Sequence, residues 1–441
     1  SLQGADVFFS RIGTDTRSLQ GGELFVAIRG ANFDGHDFLE GAAQQGAVGA
    51  LVDRDVGASL PLVRVDDALQ GLGALAAAWR ERCAATVIGI TGSNGKTTLK
   101  EMCAAILGQE HRTLATLGNL NNHIGVPLTL ARLQDEQFAV IEMGANHAGE
   151  IGYLSKTARP DVAVLNNAGR AHLEGFGSLD GVAHAKAEII EGLRPDGAFV
   201  FNADDRYAGL WRELAGARRQ LTFGVHSSAD IASDADSYRI EWAEQGYAAT
   251  FTVTTPADEF EVSLQLAGEH NRMNALAAIA ACHAVGIPPA QIQAGLAQLA
   301  PVAGRLAPVR AQSGARLIDD SYNANPESVI AAMGVLLAAP GRRTLVLGDL
   351  GELGPEQEQL HRELGQRAAE AGIERLFTCG ELSRHASDSF AGESRHFDTS
   401  EALIDHLGSS LGSGDSVLIK GSRASLMDRV VAALRAGEQA C

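Results

Sequence analysis

Residues 89–98 read GITGSNGKTT, a glycine-containing turn that ends in a lysine and paired threonines. The overlapping segment ATVIGIT is a short apolar run typical of a buried parallel strand, and TTLKEMCAAIL predicts a helix. A strand, a turn and a helix N-terminus in this order place backbone N–H groups around an anion. The stretch therefore predicts a phosphate-binding loop inside an α/β domain.

The loop departs from the strict pattern GxxxxGK[ST], because Ile90 stands where the first glycine is expected. The alternative is a glycine-rich turn with a solvated lysine. Strand, turn and helix together favour a phosphate loop, in which Lys96 reaches the terminal phosphates and the Thr97 hydroxyl binds Mg²⁺. A dinucleotide-binding interpretation of GFGSLDG at 175–181 fails, because it lacks the third glycine and does not join a strand to a helix.

Apolar runs alternate with helical patterns around the loop. FAVIEMG, DVAVLNN and GAFVFNADD are typical of central strands in the same parallel sheet. Residues 249–266 alternate apolar and polar on either side of a Pro-Ala-Asp turn, which predicts an antiparallel hairpin appended to that sheet. The helical segment NALAAIAACHAVG follows, and the prolines near Pro301 indicate a domain boundary.

The two ends of the chain predict separate α/β units. The first carries GELFVAIRG, GAVGALVD and LPLVRV around a helical LEGAAQQGA, and the last alternates RLIDDSY, RTLVLGD, RLFTCG and DSVLIKG with helices. We therefore predict an α/β protein of three domains. They are a small α/β domain at 1–66, a central phosphate-loop domain with a parallel sheet and added antiparallel hairpin at 67–301, and a Rossmann-like βα domain at 302–441.

Composition excludes several classes of partner. The 441 residues carry 36 Lys and Arg against 54 Asp and Glu, and the resulting net charge of -18 repels a polyanion, so we expect no nucleic-acid partner. The five cysteines form no CxxC pair and indicate reduced cytosolic thiols. No apolar run approaches the roughly 20 residues of a membrane span, and no secretory leader pattern opens the sequence, so we expect a cytoplasmic protein without membrane insertion.

Three residues downstream of the loop are candidates for its chemistry. Glu142 ends a predicted strand, where a carboxylate faces the ligand crevice and suits a magnesium contact, although such a glutamate can equally be structural or solvated. His172 follows the next strand, but an isolated loop histidine is more often a hydrogen-bonding residue than a metal ligand. Lys186 lies in a predicted helix, where lysines are nearly always solvated. The residues alone leave these alternatives open.

Together, TGSNGKTT, the Glu142 strand, the His172 loop, Lys186 and GEHNRMNALAAIAA resemble the ATP-dependent Mur ligases of peptidoglycan precursor synthesis, across all three predicted regions. GANFDGHDF, GNLNNHIGVPLTL, DDSYNANPES, GDLGELG and LIKGSRASLM are most similar to the members that add D-alanyl-D-alanine to UDP-N-acetylmuramoyl-tripeptide. The family's loop has the shorter form TGxxGKT, so Ile90 fits it. The resemblance implies an ATP-dependent ligase that forms an amide bond through an acyl phosphate.

The resemblance also implies roles for individual residues. Thr97 and Glu142 would bind one Mg²⁺, and His172 with a carbamylated Lys186 would bind a second, so that the catalytic set is Lys96, Thr97, Glu142, His172 and Lys186. Asn271 would contact adenine, Asp320 the ribose and Arg305 a nucleotide phosphate. The implied ATP-binding set is Thr91, Gly92, Ser93, Asn94, Gly95, Lys96, Thr97, Thr98, Asn271, Arg305 and Asp320.

The resemblance also implies binding residues for the UDP-sugar acceptor and for the dipeptide. The first region would hold the UDP-sugar at Thr16, Arg17, Asp34, Gly35 and His36, with Asn121 and Asn122 near the sugar or its phosphates. Asn323, Asn325 and Asp349 would line the crevice for the dipeptide. Arg170, beside His172, is given no role.

Two rival functions fit the sequence less well. A folylpolyglutamate synthase of the same superfamily is not expected to carry a UDP-sugar region. A regulatory nucleotide-binding module has no evident use for Lys186 or for YNANP at 322–326, and the chain has no NKxD segment.

YNANP also replaces a histidine-bearing form found in some sister ligases, and the DNPR signature of the diaminopimelate-adding ligase is absent. We expect a monomer whose three domains close by hinge motion.

Overall fold

The computed structural model describes residues 1–30, 32–170, 173–243 and 246–437, and confirms a three-domain α/β fold with one sheet in each predicted region. The first sheet has the order β1-β5-β4-β3-β2 and is parallel except for the β1–β5 pair. Helix α1 (Leu39–Gln44) connects its third and fourth strands. The strands are β1 (Leu2–Gln3), β2 (Arg11–Gly13), β3 (Glu23–Val26), β4 (Gly49–Val52) and β5 (Leu62–Arg64).

The central sheet has ten strands in the order β13-β14-β12-β11-β10-β9-β6-β8-β7, with β15 paired to β14. They are β6 (Thr86–Thr91), β7 (Thr113–Ala115), β8 (Phe138–Glu142), β9 (Val162–Leu165), β10 (Ala198–Asn202), β11 (Arg219–Gly224), β12 (Ile231–Ser233), β13 (Arg239–Ala243), β14 (Gly246–Thr254) and β15 (Glu259–Leu264). The predicted hairpin is antiparallel and pairs Thr254 with Glu259. Because β14 also pairs with β12, the hairpin continues the central sheet.

Helices cover both faces of the central sheet. They are α2 (Ala68–Arg82), α3 (Lys96–Leu107), α4 (Gly125–Leu130), α5 (Glu150–Ala158), α6 (Leu173–Phe176), α7 (Leu179–Ala187), α8 (Ala208–Ala215), α9 (Glu269–Ala284) and α10 (Pro289–Ala297). Alternate residues of each strand enter opposite cores: Ile88 packs with α3 and α9, whereas Val87 packs on the other face with α4, α5 and α7. Burial on both faces explains why these strands read as continuous apolar runs.

The third sheet has the order β16-β17-β21-β18-β19-β20 and is parallel except for the β16–β17 pair. Its strands are β16 (Ala307–Arg310), β17 (Arg316–Asp320), β18 (Arg342–Gly348), β19 (Arg375–Cys379), β20 (Glu393–Phe397) and β21 (Asp415–Lys420). Its helices are α11 (Pro326–Leu337), α12 (Gln357–Glu370), α13 (Arg384–Ser389), α14 (Ser400–Ser410) and α15 (Met427–Leu434). Parallel strands joined by helices agree with the predicted Rossmann-like unit.

Helix α2 belongs to two cores. Leu72 packs with Leu24 and Leu51 of the first sheet, whereas Ala76, one turn later, packs into the central domain. Gly73 lies so close to α5 that a Cβ atom there would be 2.0 Å from the Tyr153 hydroxyl. The shared helix therefore fixes the first domain against the central one. The predicted domain bounds stay predictions, and the three sheets themselves span residues 2–64, 86–264 and 307–420.

Within the described part of the chain, no helix combines the length and the apolar character needed to cross a bilayer.

Replacing Arg80 by alanine should destabilise the protein by about 3 kcal/mol, because it removes a buried guanidinium together with its ion pair and hydrogen bonds. Asp161 would keep only the more distant Arg194, at 3.6 Å, as an ion-pair partner. Arg80 is 1% exposed. Its guanidinium lies 2.9 Å from Asp161 Oδ2 and donates to the Ala158 carbonyl at 3.0 Å, which ties α2 to the start of β9. The free energy of unfolding, measured by denaturant titration, tests this expectation.

Arg82 provides the matched control, since it lies two residues further along the same helix and is exposed. Arg82→Ala should change the free energy of unfolding by less than about 0.5 kcal/mol. Equal effects of the two substitutions would contradict a specific role for the buried pair.

Candidate active site

A cavity of about 700 Å³ lies where the central and C-terminal sheets meet. Its walls come from the loops that follow β6, β8, β9 and β17, and from the start of α9, so it sits at the carboxyl ends of parallel strands, where α/β proteins bind ligands. Fourteen of the predicted site residues line it: Ser93, Asn94, Gly95, Lys96, Thr97, Thr98, Asn121, Asn122, Glu142, Asn271, Arg305, Asp320, Asn323 and Asn325.

The loop between β6 and α3 has the geometry of an anion site. Gly95 caps α3 with φ of 80°, and a Cβ atom there would lie 2.3 Å from Asn274 Oδ1, so the position requires glycine. The first residues of α3, beginning at Lys96, carry N–H groups without an intrahelical acceptor. Lys96 Nζ donates to the carbonyls of Gly92 at 2.8 Å and Ser93 at 3.3 Å, and burial lowers its pKa. The ammonium is thus held over the loop.

A network of asparagine side chains holds this loop by hydrogen bonds. Asn166 Nδ2 donates to the Asn94 carbonyl at 2.9 Å and to Asn274 Oδ1 at 2.8 Å, and Asn167 Oδ1 accepts the Asn94 N–H at 2.8 Å. Asn274 in turn donates to Asn271, the predicted adenine contact, at 3.3 Å. Sequence reasoning missed Asn166, Asn167 and Asn274. The first two directly follow β9, so the strand-end argument applied to Glu142 would have found them.

Glu142 is built to hold a cation. It is 2% exposed, and its Oε1 accepts from Asn121 Nδ2 at 2.8 Å and from Thr97 Oγ1 at 3.3 Å. Its Oε2 is buried without a hydrogen-bond partner among the described residues. A buried carboxylate oxygen of this kind is costly unless it is paired, and oxygen donors are what Mg²⁺ prefers. The pair of Thr97 and Glu142 therefore fits a magnesium ion.

Lys186 is buried, contrary to the usual behaviour of a helical lysine, with 1% of its surface exposed. Its Nζ donates to the Ala145 carbonyl at 3.3 Å and lies 4.9 Å from the centroid of the Phe176 ring. Burial, assisted by the nearby Lys96 ammonium, lowers the pKa of Lys186 to about 7. Lys186 lies behind the cavity wall at Ala145, and its predicted partner His172 falls outside the described residues.

The C-terminal domain reaches the phosphate loop through two polar contacts. Arg305 Nη2 donates to Thr97 Oγ1 at 3.1 Å, and Asn325 Nδ2 donates to Asn94 Oδ1 at 2.7 Å. Asn325 also caps α11 by accepting from Ser328 N. Thr97 is consequently contacted from both domains, and the cavity is closed at this edge.

The predicted ribose acid is engaged in an ion pair. Asp320 Oδ2 lies 2.5 Å from Lys420 Nζ, and the same ammonium donates to the Asn323 carbonyl at 3.0 Å. The pair fixes the loop after β17 against the end of β21. Asp349, a predicted dipeptide contact, is not part of the cavity lining, and its Oδ1 instead accepts from Ser383 N at 2.7 Å.

The predicted UDP-sugar residues lie apart from this cavity, in the first domain. Asp34 accepts from the His36 backbone N–H at 3.0 Å and lies 2.9 Å from Arg54, and the His36 contacts hold the pKa of Asp34 at about 2. Gly35 packs so that a Cβ atom would be 2.6 Å from Ile28 N, and Arg17 is exposed and paired with Asp15, next to Thr16.

Two residues of the predicted ATP set stand behind the loop. Thr91 is fully buried, and its hydroxyl donates to the Met143 carbonyl at 2.9 Å. Gly92 has φ of 149°, near the Asn166 side chain, where a Cβ atom would lie 3.1 Å from Asn166 Cβ. Both shape the loop from outside the cavity lining.

Comparison with family models matches each third of the chain. Residues 9–80 match the Mur ligase family catalytic domain, residues 90–282 the Mur ligase middle domain, and residues 304–423 the Mur ligase glutamate ligase domain.

Comparison with individual proteins extends over nearly the whole chain. The chain is 45% identical to the UDP-N-acetylmuramoyl-tripeptide--D-alanyl-D-alanine ligase of Escherichia coli strain K12, covering 98% of this chain and 95% of the relative. A crystal structure of MurF from Acinetobacter baumannii superposes with a TM-score of 0.89 at 38% identity, over 96% of this chain and 92% of that one. The MurF ligase of Thermotoga maritima in complex with ADP superposes with a TM-score of 0.86 at 30% identity, over 96% of both chains.

Lys186→Met should stabilise the protein most at low pH. The pKa of Lys186 is about 7 in the folded state, against an ordinary value of 10.5. Burial of Lys186 therefore lowers the free energy of unfolding most below pH 7, where the buried ammonium stays charged. This destabilisation decreases above pH 7 and disappears as pH rises through 10.5. The gain from Lys186→Met is therefore at most about 5 kcal/mol below pH 7 and falls to zero by about pH 10.5. Denaturant unfolding at a series of pH values in bicarbonate-free buffer measures it.

Lys156→Met is the control, because Lys156 is an exposed helical lysine paired with Glu191. Its effect on the free energy of unfolding should stay within about 0.5 kcal/mol and vary little with pH. A pH-independent effect of Lys186→Met would contradict the lowered pKa.

Proposed function

The chain belongs to the Mur ligase family, and we propose that it joins D-alanyl-D-alanine to UDP-N-acetylmuramoyl-tripeptide with cleavage of ATP to ADP and phosphate. The observation that carries this proposal is the Thr97 hydroxyl, which lies 3.3 Å from Glu142 of the central domain and 3.1 Å from Arg305 of the C-terminal domain. A phosphate loop contacted from both sides suits a reaction in which ATP and a second substrate meet between domains. The full-length likeness to ligases of this name supports the choice of substrates.

We place ATP in the cavity with its phosphates on the loop. The α3 N–H groups and Lys96 would bind the β- and γ-phosphates, and Arg305 would contact the same phosphates from the other domain. Asn271 and Asp320 line the same cavity and suit the adenine and the ribose. Lys420 holds Asp320 in place through the 2.5 Å ion pair. The Thermotoga maritima relative was solved in complex with ADP, which supports the binding of an adenine nucleotide.

Thr97 and Glu142 would hold one Mg²⁺, as their oxygen donors and the unpartnered Oε2 indicate. His172 and a carbamylated Lys186 would hold a second. The lowered pKa supports the modification, because only the neutral amine adds CO₂ and a pKa of about 7 leaves much of Lys186 neutral at physiological pH. When bound, the two ions would offset the negative charge that accumulates as carboxylate and phosphate approach.

The reaction proceeds in two transfers. The terminal carboxylate of the tripeptide attacks the γ-phosphorus of ATP, and the bond between that phosphorus and the β-phosphate oxygen breaks. ADP is released, and the tripeptide carries an acyl phosphate. The neutral amine of D-alanyl-D-alanine then attacks the acyl carbon. The tetrahedral intermediate loses the amine proton and expels phosphate, which gives the amide and hydrogen phosphate. Lys96, Arg305 and the α3 N–H groups act by positioning and electrostatic stabilisation, since the phosphoryl group itself requires no covalent help.

The remaining substrates would enter from opposite sides of the nucleotide. The UDP-sugar would lie on the first domain at Thr16, Arg17, Asp34, Gly35 and His36, with Asn121 and Asn122 of the central domain next to it. The dipeptide would lie against Asn323 and Asn325, with Asp349 further away. The hydrogen bonds between the loop and the C-terminal domain close one edge of the cavity, which would limit hydrolysis of the acyl phosphate by water.

We also propose that the protein acts as a cytoplasmic monomer.

Phosphate release from Mg-ATP should require UDP-N-acetylmuramoyl-tripeptide and D-alanyl-D-alanine together. The mass of the UDP-linked product should exceed that of the UDP-linked tripeptide by the mass of D-alanyl-D-alanine less one water. Coupled phosphate detection and mass spectrometry of the product measure both. ATP binding without any product would overturn the proposed ligase activity. Product formed from glutamate and a folate acceptor would favour the rival ligase.

Lys186→Ala should reduce the ligase rate at least about tenfold, because it removes the carbamate, and short carboxylic acids added to the assay should restore part of the rate. Lys156→Ala serves as the control: it should keep the wild-type ligase rate, and added short carboxylic acids should not change that rate. Full activity of Lys186→Ala without added acid, or no recovery with it, would count against carbamylation.

A further inference from the structure

We propose that Arg423 binds the C-terminal carboxylate of the incoming dipeptide and thereby selects a dipeptide over a single amino acid. The inference rests on the proposed ligase function and deepens it. Arg423 follows β21 in the segment KGSR, and its side chain is 63% exposed. Its guanidinium carbon lies 5.7 Å from the centroid of the Tyr322 ring, and Tyr322 lines the cavity.

The dipeptide substrate requires a cationic side chain of the protein next to its carboxylate. A dipeptide presents an amine, which must be neutral to attack, and a carboxylate, which is charged at neutral pH. A protein with a net charge of -18 repels that carboxylate unless a cation receives it. A guanidinium is suited to the task, because its planar donors match the two oxygens of a carboxylate.

The cations of the cavity are already engaged. Of the described residues that line it, the lysine and arginine side chains are Lys96, Arg305 and Lys420. Lys96 is held over the phosphate loop, Arg305 donates to Thr97, and Lys420 is paired with Asp320 at 2.5 Å. The dipeptide carboxylate therefore needs a cation just beyond this lining.

Arg423 shares an aromatic contact with Arg305, the arginine that reaches the phosphate loop. Arg305 contacts Thr97 at 3.1 Å and lies 4.5 Å from the Tyr322 ring centroid, and Arg423 lies against the same ring. Two residues in extended conformation span about 7 Å, whereas a single amino acid spans about 3.5 Å. With its amine at the reacting centre, a dipeptide would carry its carboxylate one residue further than a single amino acid does, and Arg423 is proposed to receive it there.

The surroundings of Arg423 prepare it for a ligand. Contact with the Tyr322 ring orients the guanidinium, and the ring offers an apolar surface to the alanine methyl groups. Its partner Asp428 lies 3.3 Å away and is 46% exposed, so the pair is weak and leaves donors available. Arg170 is the rival, since it is 50% exposed and lies 3.7 Å from Glu327, another residue of the cavity lining.

The experiment compares D-alanyl-D-alanine with its C-terminal amide as substrates of the full chain. The wild type should prefer the carboxylate by about tenfold or more in kcat/KM. Arg423→Ala should bring this ratio close to one, through a rise in KM for the carboxylate form with kcat largely kept. Arg170→Ala, the matched control, should keep the wild-type ratio.

A purely structural role of Arg423 would weaken both substrates equally and leave the ratio unchanged, which would overturn the inference. Loss of the preference in Arg170→Ala alone would overturn it as well. Arg423→Gln, which keeps the side-chain length, should behave like Arg423→Ala and guards against a folding defect. If the wild type forms no pentapeptide from all three substrates, the ligase function itself fails, so the two failures are distinguishable.

Discussion

The Thr97 hydroxyl is the contact on which the site depends. Its oxygen meets Glu142 at the end of a central strand and Arg305 at the entrance to the C-terminal domain, so one side chain of the phosphate loop joins two sheets. Around it, buried polar groups are satisfied almost entirely by each other, as in the asparagine network below the loop. The exceptions next to the loop include Glu142 Oε2 and Asn166 Oδ1, which have no hydrogen-bond partner among the described residues. A buried network of this kind fixes geometry, and the negative charge of Glu142 makes its Oε2 suited to a cation.

The strands of the central sheet could be predicted from the sequence, because a strand that is buried on both faces is a continuous run of apolar residues. ATVIGIT became β6, and the prediction of a parallel sheet with a hairpin held. Edge strands and very short inner strands lack such a continuous apolar run. Strand β20, ESRHF, is largely exposed and exists because it pairs with β19, and β12 is only three residues long. Their existence depends on neighbours that no local pattern reveals.

The candidate site was predictable where motif and strand end coincide, as at Lys96 and Glu142. It was not predictable where it depends on strands that are distant in sequence. Asp320 and Lys420 are 100 residues apart, and only the adjacency of β17 and β21 makes them an ion pair. Lys186 illustrates the same limit, because a helical pattern says little about depth, whereas the structure encloses its ammonium between Ala145 and Phe176.

The C-terminal domain is attached in two different ways, and the difference has a mechanical consequence. At and just after the hairpin, Tyr247 and Ala267 join the apolar core of that domain, and the Tyr247 hydroxyl donates to the Leu306 carbonyl, whereas at the phosphate loop the contacts are polar only. Apolar packing is non-directional and tolerates rotation, but hydrogen bonds hold only in one orientation. In an opening of the domains, the mainly apolar contacts at the hairpin would serve as a pivot and the loop contacts as a latch. Releasing the latch exposes mainly polar groups, so the heat capacity of opening is small and the balance between open and closed forms drifts little with temperature.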